Sequence, residues 1–187
     1  SEITTYCRNK YTETKVGLID FKDIIKRQRL KKTRLTVKCP DCRKTHKALD
    51  LYDETNWVCE CGTSKNFFVT LENKRPTYGS GIAGVIFWNN RNRENPITDS
   101  FYFLKIKQVN THDTWKHPLT GKVKKVEWIS APNFELLESM VNENCIPDYQ
   151  HYADMVVKKA EPVYEAMNWA TDAISLDERQ QTLDEWF

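Results

Sequence analysis

The stretch that decides how this chain is read runs from Cys39-Pro40-Asp41-Cys42 to Cys59-Glu60-Cys61-Gly62, with 16 residues between the inner two cysteines. Four of the six cysteines in the 187 residues fall within it. A close pair of cysteines in a tight turn offers two thiolates to one point, and a hairpin between two such turns brings all four sulfurs together, which suits a tetrahedral Zn²⁺ site. Six cysteines would also staple a small secreted domain. Against that, a chain of this length can bury a core without staples, and Ser1 to Tyr6 carry neither the basic patch nor the apolar run of a secretory leader.

The flanks carry the reading outward. Leu35 to Lys38 alternates into the first pair, Lys47 to Tyr52 leaves it, Asn56 to Val58 enters the second pair and Phe67 to Leu71 leaves that. Strand, turn, strand, strand, turn, strand over residues 35–73 resembles the zinc-ribbon family. The resemblance implies that Cys39, Cys42, Cys59 and Cys61 hold one Zn²⁺. Two positions depart from the family pattern. The second pair is C-x-C, not C-x₂-C, and Arg43 stands where the family often places Gly, while Gly62 keeps that place after the second pair. His46 is therefore the substitute ligand of a Cys₃His set. Four thiolates close the coordination shell, so the expected ion is structural and not catalytic. The alternative for these cysteines is a set of buried free thiols, which is also how Cys7 and Cys145 are read, since neither has a close partner.

Charge is segregated along the chain. The net values are +8 over residues 1–50, +3 over 51–132 and −9 over 133–187. Either the basic front meets an anion such as nucleic acid while the acidic back meets a cationic partner, or the two ends neutralise each other within the fold. Ahead of the cysteines, Asp20 is a candidate N-cap, and Leu18, Phe21, Ile24 and Ile25 form a short apolar stripe that predicts a basic N-terminal helix. Lys22, Lys26, Arg27, Arg29, Lys31, Lys32 and Arg34 then become candidate phosphate contacts, with a solvated face as the plain alternative.

Residues 74–132 read as a small antiparallel sheet: a buried strand over Ile82 to Trp88, an alternating strand over Phe101 to Val109, and a third over Val123 to Ile129 after a Pro118 to Gly121 turn. Phe101 and Phe103 share a face with Lys105 and Lys107, the pattern of base stacking beside phosphate contact; a core aromatic face is the alternative. His112 and His117 are expected in solvated loops. From Pro132 the chain turns helical and acidic, with helices over Phe134 to Val141, from Asp148 to Pro162, and from Val163 to Ala170. Ser175 to Glu178 reads as a capping box before the aromatic end.

The expected fold class is α+β, in four parts: a basic segment with one helix (1–34), a zinc ribbon (35–73), a small sheet (74–132) and a helical acidic part (133–187). A composition of 40% hydrophobic and 29% charged residues excludes a collagen-like or wholly disordered chain. No apolar run is long enough to span a bilayer, which leads to an expected soluble, intracellular or intravirion protein. No phosphate loop, nucleophile elbow, H-E-x-x-H motif or Cys/His nucleophile pair stands out, so an enzyme is the least expected class, and no small-molecule substrate is indicated. The expected function is a zinc-ribbon accessory protein binding nucleic acid. A zinc-stapled assembly subunit, such as one of a phage tail or baseplate, is the alternative, its six tryptophans serving as protein-interface anchors.

Overall fold

A computed structural model describes residues 1–30, 36–39, 41–47, 58–63, 80–117 and 122–175. Helices and small antiparallel sheets make it α+β, and its contacts divide the chain into two compact units, residues 1–24 with 148–187, and residues 25–147.

The first unit joins the two ends of the sequence. Helix α1 (Glu2–Lys15) starts at Ser1, whose Oγ accepts from the Thr4 N–H, and Gly17 just beyond it sits at φ +78°, where a side chain would also press on the Tyr149 ring. Cys7, Tyr11 and Thr14 recur at helical spacing and turn inward. Tyr11 packs with Ala153, Ala160 and Tyr164, and with Ile174 from a C-terminal turn. The Tyr164 hydroxyl donates to Thr4 Oγ1 at 2.7 Å, and Arg8 donates to the Ala173 carbonyl at 2.8 and 3.0 Å. Each of these bonds ties residues more than 150 positions apart. A short helix α2 (Phe21–Ile24) closes the N-terminal segment, and Asp20 caps it as the sequence predicts, accepting from the Lys22 N–H.

There the basic helix ends. Residues 26–29 form strand β1 (Lys26–Arg29), all four exposed, paired antiparallel with the long strand β4 (Ser100–Gln108). Lys, Arg and Gln are good helix formers, and pairing with β4 overrides that local preference. Lys31, Lys32 and Arg34 lie outside the described residues.

In the second unit the sheet runs β1-β4-β7, with β7 (Trp128–Ala131) on β4's other side and β8 (Cys145–Pro147) pairing the end of β4. Helix α3 (Ser80–Arg91) lies on one face. It corrects the expected strand over Ile82 to Trp88, because a short continuous apolar run suits a buried helix as well as a buried strand. Val85, Ile86, Phe87 and Trp88 are all buried. The helix sits so close to β7 that a Cβ at Gly84 would fall 2.4 Å from Ser130 Oγ, and Ser130 donates to the Gly81 carbonyl. Helix α4 (Phe134–Met140), capped by Asn133, buries Leu137 and packs on β7 and β4.

The expected strand Val123 to Ile129 is two strands in different sheets. Strand β6 (Val123–Lys125) pairs β5 (Thr114–Lys116) as a separate ribbon, and β7 joins the main sheet. His117, expected in solvent, is buried beside Trp115. At the C-terminal end, helix α5 (Tyr149–Ala166), capped by Asp148, runs through Pro162 without stopping there. The exposed ring costs one helical hydrogen bond, and the packing of Ala160 and Tyr164 on α1 outweighs it. Val163 and Met167 are accordingly exposed, and do not line a third helix. Ser175 closes a short helix α6 (Asp172–Ser175); the rest of the expected capping box, the Pro118 to Gly121 turn and the strand Phe67 to Leu71 lie outside the described residues.

Candidate metal centre and basic surfaces

Two strands deliver the first cysteine pair. β2 (Thr36–Lys38) and β3 (Thr45–Lys47) pair in register, Lys38 opposite Thr45, and the chain between them turns back on itself. Within that turn the Cys39 N–H donates to the Lys44 carbonyl and the Arg43 N–H to the Cys39 carbonyl, which requires Arg43 to sit at φ 61°. The second turn repeats the plan. The Cys59 N–H donates to the Thr63 carbonyl, the Gly62 N–H donates to the Cys59 carbonyl, and Gly62 sits at φ 96°. Both turns therefore need a left-handed residue after their last cysteine, and only the second uses glycine for it. Lys44 Nζ and Glu60 Oε1, 2.5 Å apart, tie the two turns at the surface.

The result is one cluster. The sulfurs of Cys39, Cys42, Cys59 and Cys61 all lie within 4.8 Å of one another, with Cys39–Cys61 at 3.5 Å and Cys42–Cys59 at 3.6 Å, and none is in a disulfide. Four sulfurs each about 2.3 Å from a tetrahedral ion stand roughly 3.8 Å apart, so the donor set fits a metal ion. The shortened C-x-C pair still aims both sulfurs at the common centre.

Surrounding groups treat the thiols unequally. Burial works to raise the Cys39 thiol, but N–H groups of Cys42 and Asp41 and the Thr63 hydroxyl outweigh it and bring it down to about 6. Cys61 is lowered chiefly by the Thr63 hydroxyl and backbone. At Cys59 the Cys61 N–H acts to lower the thiol, yet burial and the three neighbouring sulfurs push it up to about 12. Four thiolates this close repel one another, and a bound cation reverses that balance by deprotonating its thiol ligands. Outside the sulfurs, Thr63 Oγ1 lies 3.3 Å from Cys61 Sγ and donates to Asp41 Oδ2. His46 Nε2 lies 3.3 Å from Cys59 Sγ. The imidazole is thus a neighbour of the four-sulfur set, placed to donate to a sulfur and orient it.

The candidate nucleic-acid contacts divide. Lys26, Arg27 and Arg29 stand exposed on β1, where Arg27 donates to Ser100 Oγ at 3.3 Å and Arg29 lies 3.8 Å from Asp99. An open groove runs between Arg27, Gln28, Arg29, Asp99 and Ser100. Lys22 lies on α2, in the other unit. Phe101 is fully buried under α3, so its ring offers no face to a base; Phe103 is half-buried, with its centroid 5.7 Å from that of Trp128. The core alternative therefore holds for Phe101.

Regrouped by compact unit, the polarity seen along the sequence persists, as +8 against −6. Residues 25–147 hold 21 Lys/Arg against 13 Asp/Glu, and the remaining residues 7 against 13. The N-terminal helix does pack on the C-terminal one, and residues 1–24 are charge-balanced, with 4 of each sign, so they leave the net charge of their unit unchanged. What sequence reasoning missed is the lysine-bearing β5–β6 ribbon, whose signal is the acid-free run Thr114 to Val126.

No protein-family model, curated protein or solved structure matches this chain. No described helix is long and apolar enough to cross a membrane.

Proposed function

We propose that residues 35–73 form a zinc ribbon around one structural Zn²⁺ on Cys39, Cys42, Cys59 and Cys61, and that the chain is a non-enzymatic accessory protein that binds nucleic acid through the unit carrying this ribbon. The observation that carries the reading is the coincidence of the four-sulfur cluster with a unit of net +8. Within that unit β1 offers three exposed cations on four residues at a sheet edge, where each phosphate neutralised releases counterions. The metal's task in this reading is mechanical: it holds the two turns together, and closed thiolate coordination leaves no position for water.

A second reading, a zinc-stapled subunit of a large assembly, rests on the acidic unit, where Val163, Met167 and Trp169 are exposed near the end of α5. Fluorescence anisotropy with labelled single- and double-stranded oligonucleotides at two salt concentrations separates the two. Salt-sensitive binding that Lys26→Gln, Arg27→Gln and Arg29→Gln together weaken by about tenfold or more supports the first reading. An absence of binding at low salt removes it in favour of the second.

A further inference from the structure

We propose that the β5–β6 ribbon is a second phosphate-gripping surface, holding the sugar-phosphate backbone of a nucleic acid through Lys116, Lys122, Lys124 and Lys125; the proposal rests on the nucleic-acid reading above. The ribbon pairs Thr114 with Lys125, Trp115 with Lys124 and Lys116 with Val123, and the His117 N–H donates to the Lys122 carbonyl at 2.8 Å. Alternation puts Thr114, Lys116, Val123 and Lys125 on one face, all exposed. The opposite face buries Trp115 and His117 and carries Lys122 and Lys124, both exposed, with Lys124 Nζ 5.7 Å from the centre of the Trp115 ring.

A two-stranded ribbon is marginal by itself, and opposite charges paired across it would contribute about 0.2–1 kcal/mol each. This one contains no acid from Thr114 to Val126. The flanking acids, Asp113 and Glu127, stand at its base, where the Asp113 carboxylate is 4.0 Å from Arg91. Stability comes from elsewhere. Trp115 and His117 are buried, the Val126 N–H donates to the Asp113 carbonyl, and Gln108 Nε2 donates to the carbonyls of Asp113 and Val126 at 3.2 and 3.1 Å. Pinned at its base, the ribbon presents four exposed lysines within a short element, a concentrated cationic surface of the kind on which phosphates displace counterions. The positive field also reaches the buried ring: after burial, Lys124 and Lys122 are what press His117 down to about 4. In shape, a two-stranded ribbon is admitted by the major groove of a duplex, about 12 Å wide, and its lysines serve a single strand equally well by charge.

The test uses the full metal-loaded chain and labelled single- and double-stranded oligonucleotides across a salt series. Replacing Lys116, Lys122, Lys124 and Lys125 by Gln should weaken binding by about tenfold or more at low salt. It should also flatten the slope of log affinity on log salt by up to about 0.9 per lost contact on duplex and about 0.7 on single strand. The Lys→Arg variant at the same four positions should keep both, and an unchanged thermal midpoint shows that the Gln variant is folded. If the β1 variant weakens binding while the ribbon variant keeps wild-type affinity and slope, this inference falls and the nucleic-acid reading stands. If the wild-type chain binds neither oligonucleotide, both fall. Competition by polyglutamate as strong as by unlabelled oligonucleotide overturns the assignment to phosphate.

Discussion

Arg43 and Gly62 occupy equivalent places after their cysteine pairs, at φ 61° and 96°, yet only one has the side chain suited to it. A left-handed conformation costs an L-residue about 1–2 kcal/mol, and the extra freedom glycine loses on folding returns roughly 0.5–1 of that. Arg43→Gly is therefore expected to stabilise the metal-bound turn by up to about 1 kcal/mol, read as an up to roughly fivefold gain in metal affinity by chelator competition. Gly62→Ala should shift affinity the other way by a similar factor. A Cβ there meets nothing within 4 Å, so backbone conformation alone carries the effect. Equal affinities in both variants would show that neither turn is strained. The zinc-ribbon resemblance implies a glycine at both positions; that both are left-handed, and that the chain tolerates arginine at one of them, are facts of the folded turns.

Among elements, the β5–β6 ribbon makes the plainest pH prediction. Burial first, then Lys124 and Lys122, hold His117 near 4 against an ordinary 6.5. The unfolded chain thus binds more protons between those values, so the stability this residue contributes is present above about 6.5 and lost as pH falls toward 4. The slope is at most about 1.4 kcal/mol per pH unit. Denaturant unfolding followed by tryptophan fluorescence across that window should show the loss, and His117→Phe, which removes the titrating group, should reduce it. The same slope in both proteins would discount His117 and leave the cysteines as the acid-sensitive groups. Element type was legible where periodicity was long and unambiguous, as in β4 and the start of α5. It failed where tertiary partners settle an ambiguous local pattern, as in Ile82 to Trp88 as helix, or override a local preference, as in Lys26 to Arg29 as strand and Pro162 inside a helix.

At the scale of the molecule, the four-sulfur cluster belongs wholly to residues 25–147, whereas the α1–α5 helix pair belongs to the other unit. In the proposed reading a structural Zn²⁺ supplies about 10–16 kcal/mol of apparent binding free energy to its fold. Chelation is expected to expose the cysteines to thiol reagents and to lower the thermal midpoint of the unit that contains them. The helical circular dichroism from α1 and α5 should persist at the same temperature. Elemental analysis should find one zinc per chain in the untreated protein, lost on Cys59→Ser. A chain with no stoichiometric metal, or cysteines equally reactive before and after chelation, would remove the zinc ribbon. Charge is likewise a whole-molecule property here. Read along the sequence it suggests a basic front and an acidic back, but folding reassigns it to a positive unit and a negative one.

What the linear order of residues determined unaided is the local chemistry: four thiols in two tight turns, the cap at Asp20, the helix start at Asp148, the apolar alternation of β4. These follow from covalent spacing and from hydrogen bonds a few residues long. The partners of each element were decided only in three dimensions. Tyr11 meets Tyr164, Gly84 rides on Ser130 and Lys26 pairs with Phe103 because burying apolar surface and satisfying strand edges reward contacts that sequence distance does not reveal.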